Sequence, residues 1–187
     1  MNDTLTGHLT VATCIGCGAR SRAGECLDGC ADVALDLVDI VDLADAAERT
    51  EALEARVAAL RELALAVAGD PPFAWAEVHE RAGEAIRLPV PPEPEIAVIE
   101  GWGCPRCGRI DAPQPCLGVC VRRPGAVADA SEYRQFAERS AQLAADDRTF
   151  TGLARLLATV TPRPGQEEST MAAVRSRARE LLGRSVG

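Results

Sequence analysis

The feature that most constrains the fold of this 187-residue chain is a pair of cysteine clusters with identical spacing. The first cluster occupies residues 14–30 and the second occupies residues 104–120, and both follow the pattern C-x2-C-G-x7-C-x3-C. Every cysteine of the first cluster therefore recurs 90 residues later. The chain has eight cysteines, so the two clusters contain all of them. The fold must bring these side chains together in two matching groups.

CxxC pairs in a chain without an export signal are typical of metal ligands rather than of disulfides. Residues 1–13 show neither the basic flank nor the apolar segment of a signal peptide. No apolar run approaches the roughly 20 residues of a membrane span. We therefore expect a cytoplasmic protein, not associated with a membrane, that binds two metal ions. The expected ligands are Cys14, Cys17, Cys26 and Cys30 for one ion, and Cys104, Cys107, Cys116 and Cys120 for the other.

The C-x2-C-G sequence resembles the zinc knuckle of zinc ribbons, treble clefs and rubredoxins. Gly18 and Gly108 follow the second cysteine of each knuckle, where glycine adopts positive φ without a steric cost. A C-x3-C spacing puts both sulfurs on one side of a helical turn. A knuckle followed by such a pair is similar to a treble-clef finger, although the linker between the pairs is short for its usual hairpin. The resemblance covers about 17 residues in each half and implies a fold type rather than a function.

Two zinc ions are the expected cofactors, and iron, as a rubredoxin-like or Fe–S centre, is the alternative. Redox or disulfide roles of the cysteines are a further alternative. Four thiolates leave no open coordination position, which is typical of structural rather than hydrolytic zinc. No nucleophile elbow and no phosphate-binding glycine loop accompany the cysteines. We therefore expect a protein without enzymatic activity.

The sequence around the cysteines also repeats. Residues 47–49 and 137–139 both read Ala-Glu-Arg, and a β-prone run precedes each knuckle. Each half continues as a long helical pattern, a proline-containing turn and a short amphipathic segment. The sequence therefore predicts a mainly α protein with small β elements. Two duplicated modules, 1–88 and 95–187, are joined by a proline-rich linker, 89–94, and pack about a pseudo-twofold axis.

The long helical patterns contain apolar residues at heptad spacing. In the first half these residues are Leu53, Val57, Leu60, Ala64 and Val67. The matching residues of the second half are Leu143, Asp147, Phe150, Ala154 and Leu157, so Asp147 interrupts the second seam. We expect the two seams to pack against each other within the chain. The alternative places one seam between the subunits of a homodimer.

The formal net charge of −8 weighs against a nucleic-acid partner, because phosphate binding depends on basic side chains. The first functional hypothesis is an accessory or adaptor protein with structural zinc that binds another protein of unknown identity. An electron carrier with iron centres is the second, and a zinc-finger regulator of nucleic acid is the third.

The remaining polar and aromatic candidates have simple structural explanations. His8 and His79 lie at no ligand spacing to a cysteine pair, so we expect them to be solvated or hydrogen-bonded. The acidic series Asp36, Asp39, Asp42 and Asp45 is expected on a solvated face, with a hard-cation site as the alternative. Trp75 and Trp102 are expected in the cores of their modules, with an interface role as the alternative. Arg20, Arg22, Arg106 and Arg109 flank the cysteines as solvated or thiolate-balancing charges.

Overall fold

The structure is a computed structural model that describes residues 9–14, 20–22, 33–69, 74–103, 109–112 and 122–184. This part of the chain is mainly helical with a small antiparallel sheet, in agreement with the predicted class. In the first half of the chain, the elements are β1 (Leu9–Cys14), β2 (Arg20–Arg22), β3 (Val33–Asp39), α1 (Ile40–Ala68) and α2 (Trp75–Arg87). In the second half, they are β4 (Ile99–Gly103), β5 (Ile110–Ala112), β6 (Arg122–Asp129), α3 (Ala130–Thr159) and α4 (Glu167–Arg184).

The six strands close into a small antiparallel barrel in the order β1-β2-β5-β4-β3-β6, with β6 returning to β1. Each half of the chain supplies three of these strands, and four of the six pairings join strands from different halves. The predicted β-prone runs form β1 and β4. The other four strands are not predicted, because β2 and β5 have three residues each and show no readable alternation.

The strand register repeats with the same offset of 90 residues as the cysteines. Leu9 pairs with Val127, and the positions 90 residues from these two, Ile99 and Leu37, also form a pair. The β2–β5 and β3–β6 pairings follow the same rule, because each of them maps onto itself when the halves are exchanged. The strand order is likewise unchanged by the exchange.

The interior of the closed sheet is small. Its buried residues are Val11, Leu37, Ile110, Ala112 and Val127. Gly101 and Gly103 point toward this interior from β4, where a Cβ on Gly101 would lie 2.7 Å from the Cβ of Ala112. Neighbouring strands therefore approach too closely at β4 for a side chain. A second cluster, centred on Val38 and Ala128, covers the starts of α1 and α3.

Each long helix continues directly from a strand, α1 from β3 and α3 from β6. Asp129 ends β6 and its Oδ1 accepts a hydrogen bond of 2.7 Å from the backbone N–H of Ser131. A carboxylate at this place satisfies an N–H group that has no partner within the helix. The chain thus turns from strand to helix without a loop.

The predicted seams of α1 and α3 are buried, and they pack within the chain. All five seam residues of α1 are at most 3% exposed, and Leu143, Phe150, Ala154 and Leu157 of α3 are at most 5% exposed. One cluster contains Leu53, Val57 and Leu143, and a larger one contains Leu60 and Phe150. The seams of the two halves therefore supply one core.

Asp147, which interrupts the seam of α3, lies next to Arg56 of α1. The Nε of Arg56 is 2.7 Å from the Oδ1 of Asp147, and both side chains are less than one-fifth exposed. Arg56 also donates hydrogen bonds to the Oγ1 of Thr151 at 3.3 Å and to the carbonyl of Leu88 at 3.2 Å. The interruption is therefore compensated by an ion pair between the two helices.

The short helices α2 and α4 bury corresponding faces. Val78, Ala82 and Ala85 are buried on α2, and the residues buried on α4 lie 96 positions later: Val174, Ala178 and Leu181. These six residues share one cluster with the later parts of the α1 and α3 seams. Most of the growth in the offset from 90 to 96 falls within α4, because Val174 lies seven residues after the start of α4, whereas Val78 lies three residues after the start of α2.

The chain divides into two compact units, and each unit takes one segment from each half. Unit 1 consists of Met1–Ala47 and Glu93–Ala137, and unit 2 consists of Glu48–Pro92 and Glu138–Gly187. These spatial units differ from the predicted sequence modules 1–88 and 95–187. The linker 89–94 also has packing roles, since Val90 contacts the Leu53 cluster and Arg49 donates a hydrogen bond to the carbonyl of Pro91.

Candidate metal centre

Each strand of unit 1 has at least one end within a few residues of a predicted metal ligand along the chain. Cys14 is the last residue of β1, and its backbone is described. The other seven predicted ligands, Cys17, Cys26, Cys30, Cys104, Cys107, Cys116 and Cys120, lie outside the described residues, as does the side chain of Cys14. Within the described ranges, no group of three or more His, Cys, Asp or Glu residues has an arrangement that could hold a metal ion. The metal centres therefore stay a prediction.

Four connections between strands contain all of these cysteines. The β1–β2 connection holds Cys17 and follows Cys14, and the β4–β5 connection holds Cys104 and Cys107. The β2–β3 connection holds Cys26 and Cys30, and the β5–β6 connection holds Cys116 and Cys120. Every predicted ligand is thus tied at a short distance along the chain to a described strand end.

One row of paired residues crosses four neighbouring strands at the ends of β4 and β2. Val33 pairs with Gly103, Gly103 pairs with Ile110, and Ile110 pairs with Arg22. We call this row of four residues the lower row. The β2–β3 connection begins and ends at its outer members, Arg22 and Val33. The β4–β5 connection leaves from its two central members.

A second row, the upper row, lies at the end of β1 and contains Arg123, Thr13, Arg20 and Ala112, paired in that order. The β1–β2 connection begins after Cys14, the residue that follows Thr13, and ends at Arg20. The β5–β6 connection begins at Ala112 and ends at Arg122, which pairs directly with Cys14. Each row therefore combines a knuckle connection from one half with a C-x3-C connection from the other half.

The charged residues near these ends are partly paired among themselves. The Nε of Arg109 lies 3.6 Å from the Oδ2 of Asp111 at the start of β5. Arg22 is exposed, while Arg106 and the side chain of Arg20 lie outside the described residues. Arg109 and Arg22 thus lie a few residues along the chain from predicted ligands, and Arg109 is paired with a carboxylate.

Trp102 is not a core residue. It lies on the outer side of β4, one residue before the lower row, and its side chain is 48% exposed. The expectation of a core position is wrong because Gly101 and Gly103, on either side of it, take the two inward places. Trp75 does lie against the core of unit 2, partly buried. Sequence reasoning missed the signal of the Gly-Trp-Gly alternation, which assigns the tryptophan to the outer face.

The other candidate residues have ordinary structural roles. The Nε2 of His79 lies 2.9 Å from the carbonyl of Val160, and its ring meets that of Trp75 edge to face. His8 lies outside the described residues. Asp36 is exposed on β3 and forms an ion pair with Arg134. No shared cation site among Asp36, Asp39, Asp42 and Asp45 occurs in the part of the chain that the structure describes.

Each of the four helices falls short, over the residues described, of the combination of length and apolar character that a membrane crossing requires. Compared with protein-family models, curated proteins and solved structures, the chain matches none of them. Its function is therefore argued from its own residues.

Proposed function

We propose that this chain is a non-enzymatic protein in which two structural zinc ions, each held by four cysteines, stabilise a small closed sheet that binds another protein. The observation that supports this most directly is the position of the strand ends. Cys14 is itself a strand residue, and the connections that hold the other seven cysteines all begin and end at strands of the same sheet. Metals bound there would tie the strands together.

The small core of unit 1 gives the metals a stabilising role. Among the described residues, the cluster inside the closed sheet has five buried members, one of them alanine, and the second cluster of unit 1 has four. Burying a Val, Leu or Ile side chain contributes about 1.5–3 kcal/mol. A structural zinc ion in a short cysteine-rich peptide contributes about 10–16 kcal/mol at pH 7. Unit 2 differs, since its main cluster has fourteen buried residues and no predicted ligand. The metals are therefore assigned to the stability of unit 1.

The repeat supports a duplicated origin with two equivalent metal sites. The offset of 90 relates the cysteines, the strand pairs and the buried seam positions alike. A pseudo-twofold axis through the self-related pairs Val38–Ala128 and Ser21–Asp111 would generate this register. Under this proposal the two zinc sites have the same ligand geometry and similar affinities.

The outer face of β4 and β3 is proposed as the surface that binds the partner. Trp102 is exposed there, and it pairs with Ala34 of β3 and Asp111 of β5. Asp36 and Glu100 form the next cross-strand pair on the same face. An exposed aromatic residue bordered by carboxylates is typical of a contact surface for a protein with basic side chains. The net charge of −8 favours the same kind of partner.

Metal removal tests the structural role. We expect a strong chelator to abolish the hydrogen-exchange protection of β1, β3, β4 and β6, because the sheet has too small a core to persist without its ions. The helices α2 and α4 should keep most of their protection, since their buried faces belong to the core of unit 2. Hydrogen exchange followed by mass spectrometry, before and after chelation, measures both.

Adding zinc back to the chelated protein is the control, and it should restore protection of the strands. The proposal is wrong if the sheet amides stay protected after elemental analysis shows the protein to be free of metal.

A further inference from the structure

The strand register bears on which cysteines share a metal ion. Cys14 pairs with Arg122, so their Cα atoms are about 5 Å apart. Cys120 precedes Arg122 by two residues, which span at most about 7 Å of extended chain. The connection that holds Cys120 therefore joins β6 at the residue directly opposite Cys14, although Cys14 and Cys120 come from different halves of the chain.

Cys30, an expected partner of Cys14 in the first half, is close along the chain to a different strand end. Cys30 lies three residues before Val33, the first residue of β3. Between β1 and β3 lies β6, in which Arg122 is opposite Cys14 and Asp129 is opposite Leu37. These two β6 residues are seven positions apart, roughly 23 Å at a rise of about 3.3 Å per residue. Val33 lies four residues farther in the same direction.

The other way around the barrel is shorter. Going from β1 through β2, β5 and β4 to β3 crosses four strand spacings of about 4.8 Å each. This path over the sheet is on the order of 20 Å, and it leads from Cys14, beside the upper row, to Val33 in the lower row. Three residues span at most about 11 Å, whereas Zn–S bonds of about 2.3 Å require the sulfurs of one site to be neighbours. The strand register therefore disfavours a site that contains both Cys14 and Cys30.

The lower row bears in the same way on the second knuckle, Cys104 and Cys107. Cys104 follows Gly103, and Gly103 pairs with Val33, which lies three residues after Cys30. The β2–β3 connection joins Arg22 to Val33, which are the outer members of the lower row. The β4–β5 connection joins the two central members of the same row. The connection that holds the second knuckle thus begins at a strand residue opposite the end of the connection that holds the C-x3-C pair of the first half.

We propose that the two metal ions exchange ligand pairs between the halves of the chain. One ion is bound by Cys14, Cys17, Cys116 and Cys120, and the other by Cys26, Cys30, Cys104 and Cys107. Each ion then joins the two halves, as the interleaved strands do. This inference rests on the proposed function, since it assigns ligands to the same two ions. In this assignment the cysteines that share an ion are those whose connections lie at the same row of strand residues, not those that are close in sequence.

Cadmium NMR of the wild-type protein tests the assignment without a substitution. The protein is loaded with 113Cd, and each 113Cd resonance is correlated with the β-protons of the cysteines that bind it. We expect two resonances, one correlated with Cys14, Cys17, Cys116 and Cys120 and the other with the remaining four cysteines. A resonance that correlates with Cys14, Cys17, Cys26 and Cys30 overturns the exchange but leaves two four-cysteine sites. Failure to bind cadmium overturns both proposals.

Two matched variants, each lacking four cysteines, give a second readout. The first combines Cys14→Ser and Cys17→Ser with Cys116→Ser and Cys120→Ser, and it should keep one tightly bound zinc ion. The second combines the same knuckle changes with Cys26→Ser and Cys30→Ser, and it should keep none. The opposite result, with one ion in the second variant and none in the first, contradicts the exchange. The 113Cd correlations decide the matter if both variants lose their metal through misfolding.

Discussion

Trp102 and Ala12 occupy the same place in the two halves, 90 positions apart on β4 and β1, yet only one of them offers a large contact surface. Trp102 is 48% exposed, whereas Ala12 is partly buried and small. An aromatic side chain that is kept at the surface gains little for folding and is suited to binding a partner. Under the proposed function, Trp102 binds the partner and Ala12, at the equivalent position of the strand register, does not.

A photo-reactive residue at these two positions tests the binding surface. Replacing Trp102 by benzoylphenylalanine in the host cell should give, on irradiation, a discrete cross-linked species that contains a second protein. The same replacement at Ala12 is the matched control, and it should give no such species. Equal cross-linking at both positions, or none at Trp102, would show that the outer face of β4 is not the contact surface.

At the scale of residues, the sequence predicts which cysteines bind metal but does not predict which of them share an ion. The spacing of the cysteines gives the two knuckles and the two C-x3-C pairs. It does not tell which knuckle joins which pair, because neighbours along the chain need not be neighbours in a sheet whose strands come from both halves. Trp102 was misplaced for a related reason, since the inward glycines beside it become informative only when β4 is known to be a strand.

Among the elements, the long helices follow from the sequence most completely. Their heptad seams contain enough apolar residues in regular order to predict both the helices and their buried faces. The short strands β2 and β5 could not be predicted, because three residues give no period and their pairing depends on distant partners. Asp147 is a seam residue whose role depends on the opposite helix, where Arg56 lies 2.7 Å away.

The Arg56–Asp147 pair yields a test of helix packing. Asp147→Ala should lower the free energy of unfolding of unit 2 by about 1–3 kcal/mol, because the mostly buried Arg56 loses its carboxylate. Glu54→Ala removes an exposed ion pair with Arg139, 3.0 Å long, and should cost less than about 1 kcal/mol. Urea unfolding, followed by helical circular dichroism, measures both variants.

Combining Arg56→Leu with Asp147→Val should recover most of the lost stability, since paired apolar residues can replace a buried ion pair. Equal effects of Asp147→Ala and Glu54→Ala would mean that the pair contributes no more than a surface contact.

For the molecule as a whole, the two compact units do not coincide with the two halves of the repeat in the sequence. Each compact unit contains a segment from both halves, so that strands gather in one unit and most helical residues in the other. The repeat offset identifies equivalent positions, and it does so for strands, seams and cysteines. It carries no information about whether equivalent elements pair within a half or between halves, which depends on long-range strand pairing.

The central claim is that the folded chain contains two metal ions bound by eight thiolates, and native mass spectrometry of the purified wild-type protein tests it most directly. We predict a mass that exceeds that of the metal-free chain by two zinc ions less the protons that the thiolates release. The protein should also be colourless, whereas iron centres would give a coloured protein and support the electron-carrier alternative. A folded, fully reduced protein with the mass of the metal-free chain would contradict the account.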